Sequence, residues 1–248
     1  MTMIEPELSG RVALVTGGSG GIGAELSRRL GSSGLAVAVH YSANGAHADG
    51  VVATIESTGG RAIAVKADLR DATAPERLVA DVTDALGEID VLVGNAGLST
   101  PGGYEEVGAA AFDETVAVNL RAPYLLARAV LPGMRERKFG RVLFTSSVAA
   151  FTGGMVGPHY ASSKAGLYGL THFLAARVAA DGVTVNALAP ALIEQTTMLP
   201  GDPGDLSARI PVGRLGTPAE VADLAMAVLR NGYLTNQVIG VDGGLYPH

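Results

Sequence analysis

The first 34 residues combine three features that few folds accommodate together. Residues 11–16 (RVALVT) form a short apolar run typical of a buried strand, which passes directly into the glycine-rich turn GGSGGIG at 17–23. The segment that follows, AELSRRLGSSG, is typical of a helix that ends at Gly34. A strand, a tight turn and a helix in this order place free backbone amides where a phosphate can approach. The stretch therefore predicts a dinucleotide site, with a plain turn as the alternative.

The alternation of strand-type and helix-type segments continues along the whole chain. Further short apolar runs occur at 35–40, 61–67, 89–93, 141–146, 182–188 and 237–241. Segments with helical patterning cover 43–57, 72–86, 110–134, 158–180 and 218–230. Pro123 falls inside the longest of them, where we expect it to bend the helix or to lie near a break in it. Regular alternation predicts right-handed crossovers and a parallel sheet, so the predicted fold class is α/β.

Length and composition limit the possible functions. A chain of 248 residues suits a single domain spanning 1–248. The absence of Cys excludes disulfides and Cys-based metal sites, and the scattered His40, His47 and His172 suggest no metal site. A formal net charge of −6 argues against nucleic acid as a partner. The first ten residues lack the apolar core of a signal peptide, and no apolar run reaches the ~18 residues of a membrane span. We therefore expect a cytoplasmic protein without a membrane partner.

The end of the second strand-type run decides between the two nicotinamide cofactors. An acidic residue about 20 positions beyond the glycines would bind the ribose 2′-OH and select NAD. The residues there are His40, Tyr41, Ser42, Ala43 and Asn44, none of which is acidic. The side chains of His40, Ser42 and Asn44 could donate hydrogen bonds to a 2′-phosphate. The sequence therefore favours NADP, with NAD as the alternative.

Two later strand ends carry further candidates for cofactor contact. Asp68 and Leu69 follow the third strand-type run, and the Asp68 carboxylate could accept a hydrogen bond from an adenine amine or cap the next helix. Asn95, Ala96 and Gly97 follow the fourth run, where small residues let backbone pass close to a ribose or simply form a turn. Because the carboxyl ends of parallel strands share one edge of a sheet, we expect these residues near the glycine turn.

A second group of candidates lies between Ser147 and Lys164. Tyr160 and Lys164 are four positions apart, so they share one face of a helix. The unperturbed pKa of a phenol is about 10, and a neighbouring ammonium lowers it. Tyr160 could therefore exchange a proton with a carbonyl or an alcohol; the alternative is a surface helix without a function. His159 diverges from Tyr160 by about 100° on a helix, so we expect it to face the substrate mouth or solvent.

Several motifs together resemble the short-chain dehydrogenase/reductase family. They are TGGSGGIG at 16–23, Asp68, GNAG at 94–97, Asn119 within VNL, Ser147, YASSK at 160–164 and NALAP at 186–190. GRLGTPAEVADL at 213–224 and VDGG at 241–244 resemble the branch that contains the 3-oxoacyl-carrier-protein reductases. The resemblance covers nearly the whole chain. It implies one doubly wound Rossmann domain, a seven-stranded parallel sheet with helices on both faces.

The family also implies a reaction and a role for four residues. Its members interconvert a carbonyl and a secondary alcohol with NAD or NADP. Tyr160 would be the general acid in reduction and the base in oxidation, and Ser147 would hydrogen-bond the substrate oxygen. Lys164 would contact the nicotinamide ribose and lower the pKa of Tyr160. Asn119 would hold a helix open, so that a water can connect Lys164 to solvent.

The glycine turn and the resemblance together imply the cofactor contacts. These residues are Gly17, Ser19, Gly21, Ile22, Gly23, His40, Tyr41, Ser42, Asp68, Leu69, Asn95, Ala96, Gly97, Tyr160, Lys164, Pro190, Ala191 and Ile193. Pro190-Ala191 replaces the family's usual Pro-Gly, so a positive φ at Ala191 would be strained. Thr196 or Thr197 is expected near the phosphates, because Gln195 occupies the place of the family's usual threonine.

Residues 195–209 and the helix that carries Tyr160 are expected to form the variable surfaces. QTTMLPGDPGDLSAR at 195–209 is the expected lid over the substrate. The family more often uses the Tyr160 helix in a dimer face, so we expect a homotetramer. A non-catalytic regulator that binds a dinucleotide is the alternative from another functional class, but such a protein would be expected to lack part of the catalytic set.

The substrate is expected to be a small carbonyl or alcohol compound, or an acyl group on a carrier protein. An acidic carrier would need basic residues at the rim of the cleft, and Arg137, Lys138 and Arg141 are expected to supply some. Asp181 at the end of the Tyr160 helix and the net charge of −6 argue against a carrier. The sequence leaves both substrate classes open.

Overall fold

Seven parallel strands form one sheet in the structure, a computed structural model that describes residues 8–196 and 203–246. The strands are β1 (Val12–Val15), β2 (Ala36–Tyr41), β3 (Arg61–Lys66), β4 (Val91–Gly94), β5 (Gly140–Thr145), β6 (Val183–Pro190) and β7 (Val238–Val241). Their order in the sheet is β3-β2-β1-β4-β5-β6-β7. The chain builds outward from β1 on one side and from β4 on the other. This is a doubly wound sheet, so the expected fold class is confirmed.

Helices connect the strands. They are α1 (Gly21–Ser32), α2 (Gly45–Ser57), α3 (Ala74–Leu86), α4 (Ala109–Val116), α5 (Ala122–Glu136), α6 (Ala149–Thr152), α7 (Pro158–Val178), α8 (Pro203–Ser207) and α9 (Pro218–Arg230). Most predicted segments are present, with small shifts at their ends. Within residues 8–196 and 203–246, no helix has both the length and the apolar character that crossing a bilayer requires.

Apolar side chains alternate between the two faces of the sheet. In β1, Ala13 and Val15 join the core beneath α1, α2 and α9, whereas Val12 and Leu14 join the core beneath α3, α5 and α7. Helices α1 and α9 pack together on the first face, and α3 packs beside α5 on the second. Because helices cover both faces, the strand ends are the places where the sheet can meet a ligand.

The segment expected to be one helix at 110–134 is interrupted. Helix α4 ends at Val116, a π-helical turn covers Ala117–Arg121, and α5 begins at Ala122. Pro123 lies in the first turn of α5, where its missing N–H costs no hydrogen bond. The helix is interrupted directly before Pro123, so the expectation of a break near this residue is confirmed. The interruption is centred on Asn119, which is buried.

The basic residues expected at the rim of the cleft lie elsewhere. Arg137, Lys138 and Arg141 stand where the chain enters β5, at the amino end of the sheet. Arg137 pairs with Glu88, Lys138 pairs with Asp181, and the buried Arg141 donates to backbone carbonyls. Ligands of doubly wound sheets bind at the opposite, carboxyl edge. The expectation is wrong because residues before a strand and residues after it lie at opposite edges of a parallel sheet.

Candidate active site

A large cavity lies along the carboxyl edge of the sheet, where the segments that follow the neighbouring strands β1 and β4 turn toward opposite faces. Its volume is about 1060 Å³. Cavities that hold small molecules typically have ~300–1,000 Å³, so this one is large enough for a dinucleotide. The expected cofactor and catalytic residues all line it, except Gly23 and Asn119. The switch point between the two halves of a doubly wound sheet is where such folds bind ligands.

The glycine turn brings backbone atoms closer than side chains would allow. A Cβ at Gly23 would lie 2.2 Å from the carbonyl oxygen of Gly17 and 2.6 Å from Nδ2 of Asn95. Gly17 and Gly21 have φ values of 62° and 50°, which favour glycine. A Cβ at Gly20, in contrast, would meet nothing within 4 Å. The turn is packed against the protein at Gly23 and open at Gly20, which fits a pyrophosphate at the N-terminus of α1.

Thr16 and Asn95 fasten the glycine turn to the end of β4. Nδ2 of Asn95 donates to the carbonyl oxygens of Thr16 and Gly17 at 3.1 and 3.3 Å. The Thr16 hydroxyl accepts from the backbone N–H groups of Asn95 and Ala96, both at 3.0 Å. Sequence analysis missed this role of Thr16; its place directly before the glycines was the available signal. The bonds hold two walls of the cavity in one arrangement.

His40 does not have a ring nitrogen available for a phosphate. It is 2% exposed, and its Nε2 lies 3.1 Å from the carbonyl oxygen of Ala67. A carbonyl only accepts, so Nε2 carries the hydrogen, and Nδ1 accepts from the backbone N–H of Gly17 at 3.1 Å. Burial lowers the pKa of His40, which keeps the ring neutral. The expectation that His40 donates to a 2′-phosphate is wrong; its ring ties the glycine turn to the end of β3.

Ser42, Asn44 and His47 are exposed polar residues of the cavity beyond the end of β2. Asn44 directly precedes α2, but its side chain caps none of the backbone amides of the helix. His47 lies in the first turn of α2 and also lines a smaller neighbouring cavity together with Arg28. None of the residues at 41–47 is acidic. This end of the cavity therefore presents hydrogen-bond donors, and residues 41–47 place no carboxylate there.

Asp68 is engaged with a neighbouring arginine. Nε and Nη2 of Arg70 donate to the Asp68 carboxylate at 2.9 and 2.7 Å, and Nη1 donates to Glu114 at 3.1 Å. The hydrogen bonds from Arg70 lower the pKa of Asp68. Helix α3 follows Thr73, so the alternative in which Asp68 caps this helix is wrong. The hydrogen bond from an adenine amine stays a prediction.

The catalytic candidates converge from β5 and α7. Ser147 follows the end of β5 at Thr145, and α7 begins at Pro158 and presents Tyr160 and Lys164 on one face. The Ser147 hydroxyl lies close enough to the Tyr160 phenol to lower its pKa. Nζ of Lys164 lies 5.7 Å from the centre of the phenol ring and donates to the carbonyl oxygen of Thr145 at 2.8 Å. A hydroxyl, a phenol and an ammonium thus meet in one wall of the cavity.

Burial dominates the protonation equilibria of this group. It raises the pKa of Tyr160, and the Ser147 hydroxyl offsets part of that rise. It lowers the pKa of Lys164 to about 8. Sequence analysis expects Lys164 to lower the pKa of Tyr160. The net shift of the Tyr160 pKa is upward, because the buried phenolate would lose its water. The effect of Lys164 on this pKa stays a prediction. At neutral pH the site holds a protonated phenol beside an ammonium.

Asn119 connects the segment after β4 to α7. Its Oδ1 accepts from the backbone N–H of Leu98 at 2.7 Å, and its Nδ2 donates to the Leu98 carbonyl at 3.0 Å and to Oγ of Ser163 at 3.1 Å. These bonds do not reach Lys164. Asn119 occupies the π-helical turn between α4 and α5, a local widening that is frequent at functional sites. A water connection from Lys164 to solvent stays a prediction.

His159 is enclosed by the protein rather than facing the substrate mouth or solvent. It is 1% exposed and does not line the cavity. A Cβ at Gly157 would lie 2.9 Å from its ring and 2.4 Å from the carbonyl oxygen of Gly102. The backbone N–H of Gly102 donates to Val156 at 2.9 Å, so the segment after β4 covers the start of α7. The expectation is wrong because a cover from a distant part of the chain leaves no trace in the local spacing.

The segment after β6 completes the cavity wall. Ala191 does not adopt a positive φ, so the replacement of the family's glycine causes no strain there; Gln195, with φ 56°, does adopt one. The methyl group of Thr196 would lie 3.2 Å from a Cβ at Gly21. Thr196 therefore lies beside the glycine turn, where the sequence predicts a threonine. Thr197, the alternative, lies outside the described residues.

The part of the cavity beyond Tyr160 is here called the Met155 end. It is lined by Thr152, Gly154, Met155, Val156, Leu192, Arg209 and Leu245. Val156 packs against Tyr160. Thr152, Gly154, Met155 and Val156 lie in the stretch between Ser147 and Lys164 that the sequence singles out, and Arg209 belongs to the lid expected at 195–209, of which residues 197–202 lie outside the described residues. The others come from separate stretches of the chain that share no motif, so only the fold brings them together.

Comparison with known proteins agrees with this geometry. A family model for short chain dehydrogenases matches residues 11–203. The chain belongs to the short-chain dehydrogenase family. It is an oxidoreductase that acts on CH–OH groups with NAD or NADP, as the sequence-based resemblance predicts. The alternative of a non-catalytic regulator is set aside.

Similar proteins share this architecture but differ in the compounds for which they are named. A 3-oxoacyl-[acyl-carrier-protein] reductase of Synechocystis sp. is 36% identical over 243 residues, which are 96% of this chain and 98% of the relative. An L-rhamnose 1-dehydrogenase (NAD(P)(+)) of Sphingomonas sp. is 33% identical over 96% of this chain and 97% of the relative. A blue fluorescent protein from a metagenomic library, solved in complex with NADPH, has a TM-score of 0.91 and 34% identity, with 98% and 100% coverage. Similarity at this level therefore does not determine the substrate.

Proposed function

We propose that this enzyme reduces the carbonyl group of a small oxo compound with NADPH, and that Tyr160 donates the proton. The observation that supports this most directly is the grouping of Ser147, Tyr160 and the buried Lys164 in the wall of the cavity that the glycine turn borders. The same groups serve the reverse oxidation of a secondary alcohol.

Tyr160 is suited to protonate the carbonyl oxygen as the alcohol forms. Its raised pKa keeps the phenol protonated at neutral pH, which a proton donor requires. The Ser147 hydroxyl hydrogen-bonds the same carbonyl oxygen and stabilises the negative charge that develops on it. The nicotinamide, when bound, supplies the hydride for the carbonyl carbon. The protein thus contributes the proton, the orientation and the stabilisation of charge.

Lys164 supports Tyr160 once the phenol has lost its proton. The pKa of Lys164 is about 8, so the amine is charged at neutral pH and can stabilise the phenolate. Asn119 holds the π-helical turn through its bonds to Leu98 and Ser163. As the family resemblance implies, this opening lets a water chain return a proton to the site.

NADP is proposed in preference to NAD because of the groups beyond the end of β2. Ser42 and Asn44 are exposed there. Because residues 41–47 include no acid, none of them would repel a 2′-phosphate or select a 2′-hydroxyl. His47 adds a side chain that becomes cationic when protonated. A ratio of kcat/KM for NADPH over NADH above one supports this preference, and a ratio below one contradicts it.

The substitution Tyr160→Phe tests the proposed chemistry. Loss of a general acid usually slows a reaction by about 10²–10⁴-fold, so we expect a decrease in kcat of that order with NADPH binding retained. NADPH binding is measured by its fluorescence, and turnover by NADPH oxidation with a panel of ketones and aldehydes. Tyr233→Phe is the matched control, because Tyr233 is an exposed tyrosine outside the cavity. A kcat of Tyr160→Phe close to that of the unmodified enzyme contradicts the proposal.

A 3-oxoacyl group on a carrier protein is the second candidate substrate, because the Synechocystis relative is named for it. An acidic carrier needs basic side chains near the cavity. Arg135 and Lys138 are instead at the amino edge, and both pair with Asp181. A rate with a carrier-bound substrate that exceeds the rate with free oxo compounds and falls steeply with salt favours this candidate.

We also propose a homotetramer in which α7 contributes a subunit contact, and a lid over the substrate at 195–209. Phe112 and Tyr124 of α4 and α5, and Phe173 of α7, are exposed aromatic side chains. A Cβ at Gly169 of α7 would meet nothing within 4 Å, so the helix has room for a close neighbour. A monomeric mass by light scattering at micromolar concentration contradicts this assembly.

A further inference from the structure

The Met155 end contains an arginine that has no acidic partner in the described part of the chain. Arg209 lines the cavity, and its Nη1 donates to Sδ of Met155 at 2.8 Å. A thioether is a weak acceptor, so this contact neither neutralises the guanidinium nor occupies most of its five N–H donors. The cation therefore faces the cavity with most of its hydrogen-bonding capacity available.

The carboxylates of the described cavity wall are engaged with a different arginine. Asp68 and Glu114 both form ion pairs with Arg70. Lys164, the other cation near Tyr160, donates to the backbone of Thr145. Arg209 therefore remains as a positive charge in this wall, beside the apolar residues Val156, Leu192 and Leu245.

The backbone that carries Arg209 is anchored from both sides. Leu206 and Ile210 are each 4% exposed and pack with Leu215 in a small apolar cluster. The backbone N–H of Arg209 donates to the carbonyl of Leu206 at 3.1 Å. Because its neighbours are buried, the position of Arg209 is determined by packing, and only its side chain extends toward the cavity.

Arg209 is also close to the proposed reaction centre. Its guanidinium contacts Met155, and the next residue, Val156, packs against Tyr160. A carbonyl group at Tyr160 and an anionic group at Arg209 can therefore belong to one small molecule, whose connecting carbon chain lies along the apolar wall.

We propose that Arg209 binds the carboxylate of an oxo acid whose ketone lies at Tyr160, so that the substrate class is a small oxo acid. The guanidinium presents parallel N–H groups that match the two oxygens of a carboxylate. This assignment rests on the proposed reduction at Tyr160, and it makes Arg209 a residue that determines specificity.

The test compares free 3-oxo acids of four to eight carbons with their methyl esters, which keep the ketone and remove the charge. We expect the unmodified enzyme to prefer the acids. Arg209→Gln is expected to lose about 30-fold in kcat/KM for the acids, mostly through KM, because hydrogen bonds to charged groups contribute strongly. The esters are expected to change less than about threefold, and Arg209→Lys is expected to retain part of the preference.

Arg214→Gln is the matched control. Arg214 is an exposed arginine a few positions farther along the chain, it pairs with Glu220, and it does not line the cavity. Its substitution is expected to leave the ratio of acid to ester unchanged. Equal losses for acid and ester in Arg209→Gln indicate a structural role and overturn the assignment, as does an unmodified enzyme that does not prefer acids.

A binding measurement separates this inference from the proposed reaction. NADP⁺ cannot reduce an oxo acid, so calorimetric titration of 3-oxohexanoate into the protein with NADP⁺ reports binding without turnover. Arg209→Gln is expected to weaken this binding by about 30-fold. An unchanged affinity overturns the role of Arg209, whereas normal binding by the unmodified enzyme without any reduction by NADPH contradicts the proposed reaction instead. The coenzyme A thioester of the same acid is the third ligand. If Arg209→Gln weakens the binding of the thioester alone, Arg209 binds the phosphates of coenzyme A, and the proposal that it binds a carboxylate is overturned.

Discussion

At the glycine turn, the cavity is built from backbone in contact with backbone; at the Met155 end, it is built from flexible side chains beside open space. A Cβ at Gly23 would lie 2.2 Å from a carbonyl oxygen, and Thr16, His40 and Asn95 add hydrogen bonds to the same turn. Met155, in contrast, is 43% exposed, and Arg209 is an exposed residue as well.

The contrast explains why similarity reveals the family but not the substrate. Backbone contacts at the glycine turn depend on glycine and on a few buried polar side chains, so the sequence there has little freedom. The Met155 end is shaped by side-chain ends that can be exchanged without disturbing the sheet. Relatives with comparable identity are accordingly named for a 3-oxoacyl carrier substrate and for L-rhamnose.

The largest expected effect is that of Gly23→Ala at the glycine turn. The added methyl group would overlap the Gly17 carbonyl and the Asn95 amide, so the turn has to move away from β4. Overpacking of this kind costs about 1–3 kcal/mol or more in the free energy of unfolding, and we also expect loss of NADPH binding. Urea denaturation and NADPH fluorescence measure the two quantities.

Gly20→Ala is the matched control for that variant. Its Cβ has no neighbour within 4 Å, and its φ of −157° is accessible to alanine. We expect the free energy of unfolding to change by less than about 0.5 kcal/mol. Equal destabilisation by the two alanines contradicts the idea that the turn is packed on one side only.

Lowering the pH is expected to reduce stability by a smaller amount, through protonation of His40. Its pKa is lowered by burial in the folded protein, whereas the unfolded chain has the ordinary value of 6.5. Below that value the unfolded state binds the proton more readily, so the contribution of His40 to stability is present above pH 6.5 and is lost as the pH falls through the folded pKa. Protonation also removes the Nδ1 acceptor of the Gly17 N–H.

His40→Asn isolates that contribution, because an amide oxygen replaces the Nδ1 acceptor and does not titrate. Between pH 7.5 and pH 5, we expect the unmodified enzyme to lose unfolding free energy relative to His40→Asn, at no more than ~1.4 kcal/mol per pH unit for one proton. Urea denaturation at several pH values gives both curves. Parallel curves show that His40 does not titrate with folding and remove this explanation.

The smallest effect is expected from Met155→Ala at the opposite end. An exposed side chain contributes little to the core, so the free energy of unfolding should change by less than about 0.5 kcal/mol. The KM for oxo compounds is expected to change, while the affinity for NADPH stays constant. Destabilisation as large as that of Gly23→Ala would show that the two ends are equally constrained.

Local patterns were sufficient to predict the sheet and much of the site. Alternating segments indicate the parallel strands, and strand ends place Asp68, Asn95 and Ser147 at one edge because the geometry of a parallel sheet requires it. The four-residue spacing likewise predicts that Tyr160 and Lys164 share a face of α7.

Two of the errors concern contacts between distant parts of the chain. The spacing around His159 does not reveal that the segment of Gly102 covers it. The sequence at the end of β2 shows a polar His40 but not that Gly17 and Ala67 occupy both ring nitrogens. The same limit applies to the Met155 end, where the contact between Met155 and Arg209 joins two loops far apart in the sequence.

The two hydrogen bonds of His40 have a consequence for the engineering of cofactor use. Designs that exchange NADP for NAD usually replace the residues at the end of the second strand, because an acid there selects the 2′-hydroxyl. In this chain, replacing all residues at the end of β2 would also remove His40, the acceptor of the Gly17 N–H. The glycine turn, which both cofactors need, would then lose one of the hydrogen bonds that hold it. If the proposed preference for NADP holds, a redesign that keeps His40 and introduces the acid at Ser42 or Asn44 is expected to shift the choice toward NAD while the turn keeps its hydrogen bond to His40.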